Sequence, residues 1–194
     1  MAQSPRPRSH VTFSAIFALA AIFAGPFLIS AAPPPRALIV KLNAALLTHD
    51  SATATLTRWC ADRHLADPPV IHAVRLQVAE SQADALPRRQ LSAAPGEAVR
   101  HRHVRLVCGA ITLSEADNWY LPARLTPEMN LALDHSDRPF GLVVASLNFR
   151  RQTLAVTLPR RGPFVIVHRA LLTTTAGPFS FLVERYTKAA VRSP

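Results

Sequence analysis

The residues of this sequence best suited to chemistry are an arginine and a glutamate set into apolar runs. In Arg100-His101-Arg102-His103-Val104-Arg105-Leu106-Val107-Cys108, period-two geometry puts Arg102 on the same strand face as Val104, Leu106 and Cys108. A guanidinium over an apolar face is costly unless a carboxylate meets it, and its planar fork suits two-point capture of a ligand or side-chain carboxylate. The alternative is an arginine at the strand end whose head reaches back to solvent. Late in the chain, Phe179-Ser180-Phe181-Leu182-Val183-Glu184-Arg185-Tyr186 holds one acid in an apolar and aromatic run. Such an acid could exchange protons with a ligand, or it could pair with Arg185 or with an arginine of another strand.

Weaker signals surround these two. His101 and His103 share the opposite face at a spacing that can chelate a metal. With no evident third ligand, a solvated or hydrogen-bonded pair is expected and no metal site is assigned. Ser114-Glu115-Ala116-Asp117-Asn118-Trp119-Tyr120 is dense in polar and aromatic residues, as pocket walls and hairpin edges both are. Arg150-Arg151 could hold an anion or lie in a solvated turn. The chain has no G-x-G-x-x-G, Walker A or G-x-S-x-G motif, so neither a nucleotide fold nor a serine hydrolase is supported.

The elements that must position these residues follow from pattern. Residues 36–49 form a first helix by their mixed apolar periodicity. Asp50-Ser51 caps a second that runs to about Leu65, before Asp67-Pro68-Pro69. Alternation then predicts strands over 70–78, 99–108 and 111–121, the last two joined around Gly109 as a hairpin. Thr126-Pro127-Glu128 supplies a cap, a proline at the first helical position and an acid in the first turn of a short helix. Residues 152–158, 164–174 and 179–186 are strand-rich, with Gly177-Pro178 between the last two. Helices followed by hairpin-connected strands predict an α+β fold: an antiparallel sheet with helices packed on one face.

Composition sets the outer bounds. The 194 residues are 49% hydrophobic with 17 prolines, enough for one folded, turn-rich domain. The first ten residues carry Arg6 and Arg8 and no acid, Val11 to Ala32 is almost wholly apolar, and Ile29-Ser30-Ala31 precedes Ala32 and a triple proline. That layout predicts a signal peptide or an N-terminal anchor over residues 1–31, an exported domain over 32–194, and membrane contact only through the N-terminal segment if it is retained. Gly25-Pro26 shortens the apolar helix to about 14 residues, which favours cleavage over a span of about 20. The net charge of +10 favours anionic partners. The arginines are scattered with few aromatics among them, so no specific nucleic acid is expected. Cys60 and Cys108 can form one disulfide in an oxidising compartment or remain buried thiols.

The order of these pieces resembles the chorismate pyruvate-lyase family. Arg102-x-Val104-x-Leu106, the stretch ending at Pro122, Pro139-Phe140-Gly141 and Glu184 are similar to that family's arginine strand, following strand, Pro-apolar-Gly turn and late glutamate, over roughly residues 36–190. The resemblance implies an antiparallel sheet of about six strands with helices over a nearly closed pocket. It also implies conversion of chorismate to 4-hydroxybenzoate and pyruvate with no metal or organic cofactor. Carried over, Arg102 holds the ring carboxylate, the backbone at Phe140 and Gly141 helps orient it, and Glu184 assists elimination beside the ring hydroxyl. Arg105 takes the arginine role if the alignment shifts, although it faces the other way. Asn118 stands where the family lyases carry a further arginine, so one anion contact is lost at that substrate-binding position.

Three readings follow. One is a lyase acting on chorismate or a related small carboxylate through Arg102 and Glu184. Another is an exported, monomeric binding module for a small anionic or aromatic carboxylate, favoured by the export signal, since chorismate is cytosolic, and by Asn118. The last is a basic structural protein in which Arg102 and Glu184 pair with each other.

Overall fold

The computed structural model describes residues 35–77 and 85–192; the leader or anchor expected over residues 1–31 and the end of the first expected strand lie outside them. Helix α1 spans Pro35–Leu47 and α2 spans Ala52–Asp62. Leu38, Leu42 and Leu46 recur at four-residue spacing and form the buried stripe of α1. Ser51 caps α2, its hydroxyl accepting from the Ala54 N–H at 3.2 Å. The buried residues Leu56, Trp59 and Cys60 face inward from α2, and the Trp59 indole donates to the Ala190 carbonyl at 2.8 Å.

Six strands follow: β1 (Ile71–Arg75), β2 (Arg100–Cys108), β3 (Ile111–Tyr120), β4 (Arg150–Thr157), β5 (Phe164–Thr174) and β6 (Gly177–Thr187). They form one antiparallel sheet in the order β1-β2-β3-β6-β5-β4. Gly109 turns β2 into β3 at φ +55°, and a Cβ there would lie 2.8 Å from the Ala66 Cβ, so both conformation and space demand glycine. Between β3 and β4 the chain crosses the sheet through α4 (Pro127–His135) and α5 (Phe140–Val143). The Thr126 hydroxyl caps α4 by accepting from the Met129 N–H at 3.2 Å.

This is the α+β architecture expected from the pattern. Helices α1 and α2 pack on Ile71, Ala73, Val104, Leu106, Ile166 and Tyr186. On the same sheet face, α4 and α5 enclose a second cluster with Tyr120, Phe149, Leu172 and Leu182. The short α3 (Ala85–Gln90) leads to Leu91, which joins Leu121 and Phe181 in a small core on the other face. Cys60 and Cys108 are joined as a disulfide with Cα atoms 6.3 Å apart, tying α2 to the end of β2.

Candidate functional site

The two helical layers do not close completely over the sheet. Between them lies a small cavity of about 40 Å³ that opens to solvent. Its floor is Arg102, Val104 and Leu106 of β2, Ala116 and Asn118 of β3, Leu182 and Glu184 of β6 and Leu172 of β5. Arg151 of β4 enters from the side, and residues 50–53, Phe140, Gly141 and Phe149 form the roof. The roof is tight: a Cβ on Gly141 would lie 3.0 Å from the Thr53 hydroxyl oxygen and 3.2 Å from that of Ser51.

Arg102 is 6% exposed. One of its terminal nitrogens, Nη2, donates to the carbonyls of Arg138 (3.1 Å) and Ser136 (3.4 Å). Its Nε and Nη1 are buried with no partner among the described residues, as is Nδ2 of Asn118, its cross-strand neighbour. The Asn118 side-chain carbonyl accepts from the Ser180 hydroxyl, which turns the amide nitrogen away from that bond. Burial, followed by repulsion from Arg75, pulls the Arg102 guanidinium below its usual pKa. Three buried donors at this end of the cavity thus lack acceptors among the described residues, where buried polar groups are ordinarily paired.

The other end of the cavity is already neutralised. Glu184 Oε2 accepts from Arg151 Nη2 at 2.6 Å and from the Tyr186 hydroxyl at 3.0 Å. The Arg151 side chain is 2% exposed. Desolvation alone would lower its pKa, yet the Glu184 charge and hydrogen bond carry it above the usual value. Burial, then the Glu184 charge, pushes the Tyr186 phenol well up, so it stays protonated and donates. Asp50 anchors this corner by accepting from the Arg151 backbone N–H at 2.8 Å. Arg102 and Glu184 therefore do not pair with each other as the third sequence reading supposed.

Behind Glu184, its cross-strand neighbour His168 is fully buried, with Nε2 2.8 Å from the Asn43 side-chain oxygen on α1. Nδ1 has no partner among the described residues; with the Asn43 oxygen as acceptor, Nε2 is the nitrogen that carries the proton of the neutral ring. Burial lowers the His168 pKa. The unfolded chain then takes up more protons at acid pH, so stability is full above about pH 6.5 and is lost as pH falls from there toward the folded value. The thermal midpoint should fall more steeply between about pH 7 and 5 in the parent than in His168→Gln; parallel slopes would remove His168 from the acid response.

The expected site residues separate cleanly. Arg102, Asn118, Phe140, Gly141 and Glu184 all line the cavity. Arg105 does not: its Nε bonds Glu115 at 3.3 Å on the opposite, half-exposed face. There the two histidines also find carboxylates, His101 on Asp117 at 2.8 Å and His103 on Glu115 at 3.0 Å. Asp117 also accepts from Arg185 at 2.6 Å; although burial would raise its pKa, these partners hold it below the usual carboxylate value. Among the described residues no group of three or more His, Cys, Asp or Glu gathers for a metal. The residue that sequence reasoning underrated is Arg151. Its signal was the basic pair at the start of a strand, one member of which alternation must turn inward.

Uncharacterized protein y4mC of Sinorhizobium fredii (strain NBRC 101917 / NGR234) is 41% identical to this chain, over 81% of this chain and 77% of the relative. The chain belongs to the y4mC family. No protein-family model matches it. Solved structures similar to this y4mC-family chain include the effector domain of PhnF from Mycobacterium smegmatis, with TM-score 0.49, 12% identity and coverage of 65% of this chain and 87% of that one. The C-terminal domain of the histidine utilization repressor from Pseudomonas syringae pv. tomato gives TM-score 0.45 and 14% identity, over 63% of this chain and 95% of that domain. A "possible transcriptional regulator YydK" from Bacillus subtilis gives TM-score 0.45 and 11% identity over 64% of this chain, which spans 61% of the regulator.

Proposed function

We propose that the cavity binds a small organic carboxylate, with its carboxylate on Arg102 and Asn118 and a hydroxyl or similar donor toward Glu184. The observation that carries this reading is the set of three buried donors unpartnered among the described residues, Arg102 Nε, Arg102 Nη1 and Asn118 Nδ2, on residues at one end of a mostly apolar cavity. Burying such groups without partners costs about 1–3 kcal/mol each, which an incoming acceptor recovers. Glu184 Oε1 takes no hydrogen bond within the protein among the described residues, leaving an acceptor for the ligand's second group.

The module is exported and monomeric in this reading, with residues 1–31 as a signal peptide or anchor. The basic start, the apolar run and the small residues before Ala32 support export. The joined Cys60 and Cys108 suit an oxidising compartment. A second reading, elimination of pyruvate from chorismate, rests on Glu184 sharing the cavity with Arg102. In that case Arg102 fixes the ring carboxylate, and Glu184 handles the proton or the charge at the breaking ether bond.

Calorimetric titration of the full chain with benzoate, 4-hydroxybenzoate and chorismate tests both readings, with chromatography of the chorismate sample for released 4-hydroxybenzoate. Saturable binding without release supports the binding module; release establishes the lyase; absence of heat with all three carboxylates overturns the carboxylate site. Arg102→Lys should weaken binding at least about tenfold, because a point charge replaces the fork. Arg102→Met should abolish binding while leaving the thermal midpoint of the unliganded chain no lower, since it removes a buried and incompletely paired charge. A fall in the midpoint would mark Arg102 as structural.

A further inference from the structure

We propose that the outer edge of β4 is a docking site for an extended acidic segment of a partner protein, added to the sheet as a seventh strand. β4 is the terminal strand of the sheet, and its only neighbour among the described residues is β5. Beyond Arg151, whose N–H is taken by Asp50, the outer edge has no strand partner among the described residues and so presents backbone N–H and C=O groups, the template on which another strand pairs. Apolar side chains accompany it: Leu154, at a bulge, and Val156 of the strand are 39% and 40% exposed, and Leu158, just past its end, is 51% exposed. Val156 lies opposite His168, which sits beneath Asn43 of α1. Val40 and Leu47 flank Asn43 on the same helical stripe and are 60% and 47% exposed. An apolar side chain of an added strand thus finds a floor and a wall.

Charge selects the occupant. Between Asp137 and Glu184 the sequence contains no acid. Arg160 and Arg161, just beyond β4, and Arg169, cross-strand from Ala155, are exposed and form no ion pair among the described residues. Arg150, at the start of the strand, has Asp50 at 3.7 Å as its one acidic partner among the described residues. A second copy of this edge in antiparallel register would bring Arg150 toward Arg160 and Arg161 of the other copy, and like charges at that distance disfavour self-pairing. A segment alternating acidic and apolar residues meets both features at once, its carboxylates on the arginines and its apolar side chains on Leu154 and Val156.

The test uses the full chain and a fluorescent, end-blocked peptide of four Glu-Val repeats, followed by anisotropy and by hydrogen exchange. The expected result is salt-sensitive binding with exchange at the β4 amides slowed at least tenfold, and affinity at least tenfold weaker in Arg160→Glu/Arg161→Glu. Both of those substitutions lie in an exposed turn away from the cavity. A peptide of Glu-Pro repeats has the same charge and cannot donate alternate strand bonds, so it should bind at least tenfold more weakly. Equal binding of the proline peptide would reduce the edge to a polyanion surface and overturn the proposal. So would protection outside β4, indifference to the charge reversal, or β4 protection that appears with protein concentration alone.

Discussion

Glu184→Gln should lower the unfolding free energy by about 3–5 kcal/mol, the usual cost of removing one member of a buried ion pair. The cause is Arg151. Its side chain is 2% exposed and its partner is Glu184 at 2.6 Å, so neutralising the glutamate strands a cation in a desolvated site. The Tyr186 hydroxyl also loses a charged acceptor. For a domain of this size the thermal midpoint should fall by about 10 °C. Arg151→Met combined with Glu184→Met should recover most of the loss, because an apolar pair carries no desolvation penalty. Calorimetric unfolding of the parent, the single variant and the double variant decides it. If Glu184→Gln is as stable as the parent, Arg151 is compensated by other means and the corner is not built around this pair. The same numbers govern any functional use of the variant: loss of binding or turnover in Glu184→Gln counts as chemistry only at a temperature where the protein remains folded.

Removing the disulfide should have an effect of similar size. Cys60 and Cys108 are separated by 48 positions, and cross-linking a loop of that length restricts the unfolded chain by about 4 kcal/mol in the chain-entropy account. Cys60→Ala/Cys108→Ala should therefore unfold at clearly lower denaturant. Both cysteines are fully buried, so a reductant should act on the folded parent only as fast as the α2 region opens. The bond also bears on the cavity. It joins α2, whose first turn supplies Ala52 and Thr53 to the roof, to β2, which carries Arg102. Weaker carboxylate binding in the double alanine variant, at a temperature where it is folded, would follow from a loosened roof. Unchanged stability on removing both cysteines would show that the unfolded chain is already confined by other contacts.

Much of this was legible in the sequence because the deciding signals are local. Period-two alternation placed Arg102 on the face of Val104 and Leu106, and the buried positions of β2 follow it. Thr126-Pro127 and Ser51 marked helix starts that the capping hydrogen bonds realise. Gly109 marked the β2–β3 turn. What sequence could not supply was pairing at a distance. The partner of Glu184 had three kinds of candidate, and the strand order brings Arg151 across β5 to it. The choice between disulfide and free thiols likewise depended on where α2 packs. Two helices escaped the pattern for a related reason. The six residues of α3 and the four of α5 are too short for periodicity to register, and neighbouring cores hold them in place. The stretch 114–120, seen as one polar-aromatic block, divides by alternation: Asn118 goes to the cavity, while Glu115 and Asp117 meet the histidines on the other side.

The strand order has a consequence for how the molecule holds itself together. β1-β2-β3 and β4-β5-β6 are two meanders of consecutive strands, and among the described residues β3 against β6 is the one strand pairing between them. Asn118 stands on one side of that seam and Glu184 on the other. A molecule seated between them is a clasp across the two halves, and neither half alone can offer it a complete seat. Occupancy should therefore register in the cooperativity of the whole domain, with a gain of about 2.7 kcal/mol at a hundredfold excess over the dissociation constant. Unfolding temperature then becomes a means of sorting candidate ligands, and a chain cut between the meanders should regain its capacity to bind only when the two pieces are present together.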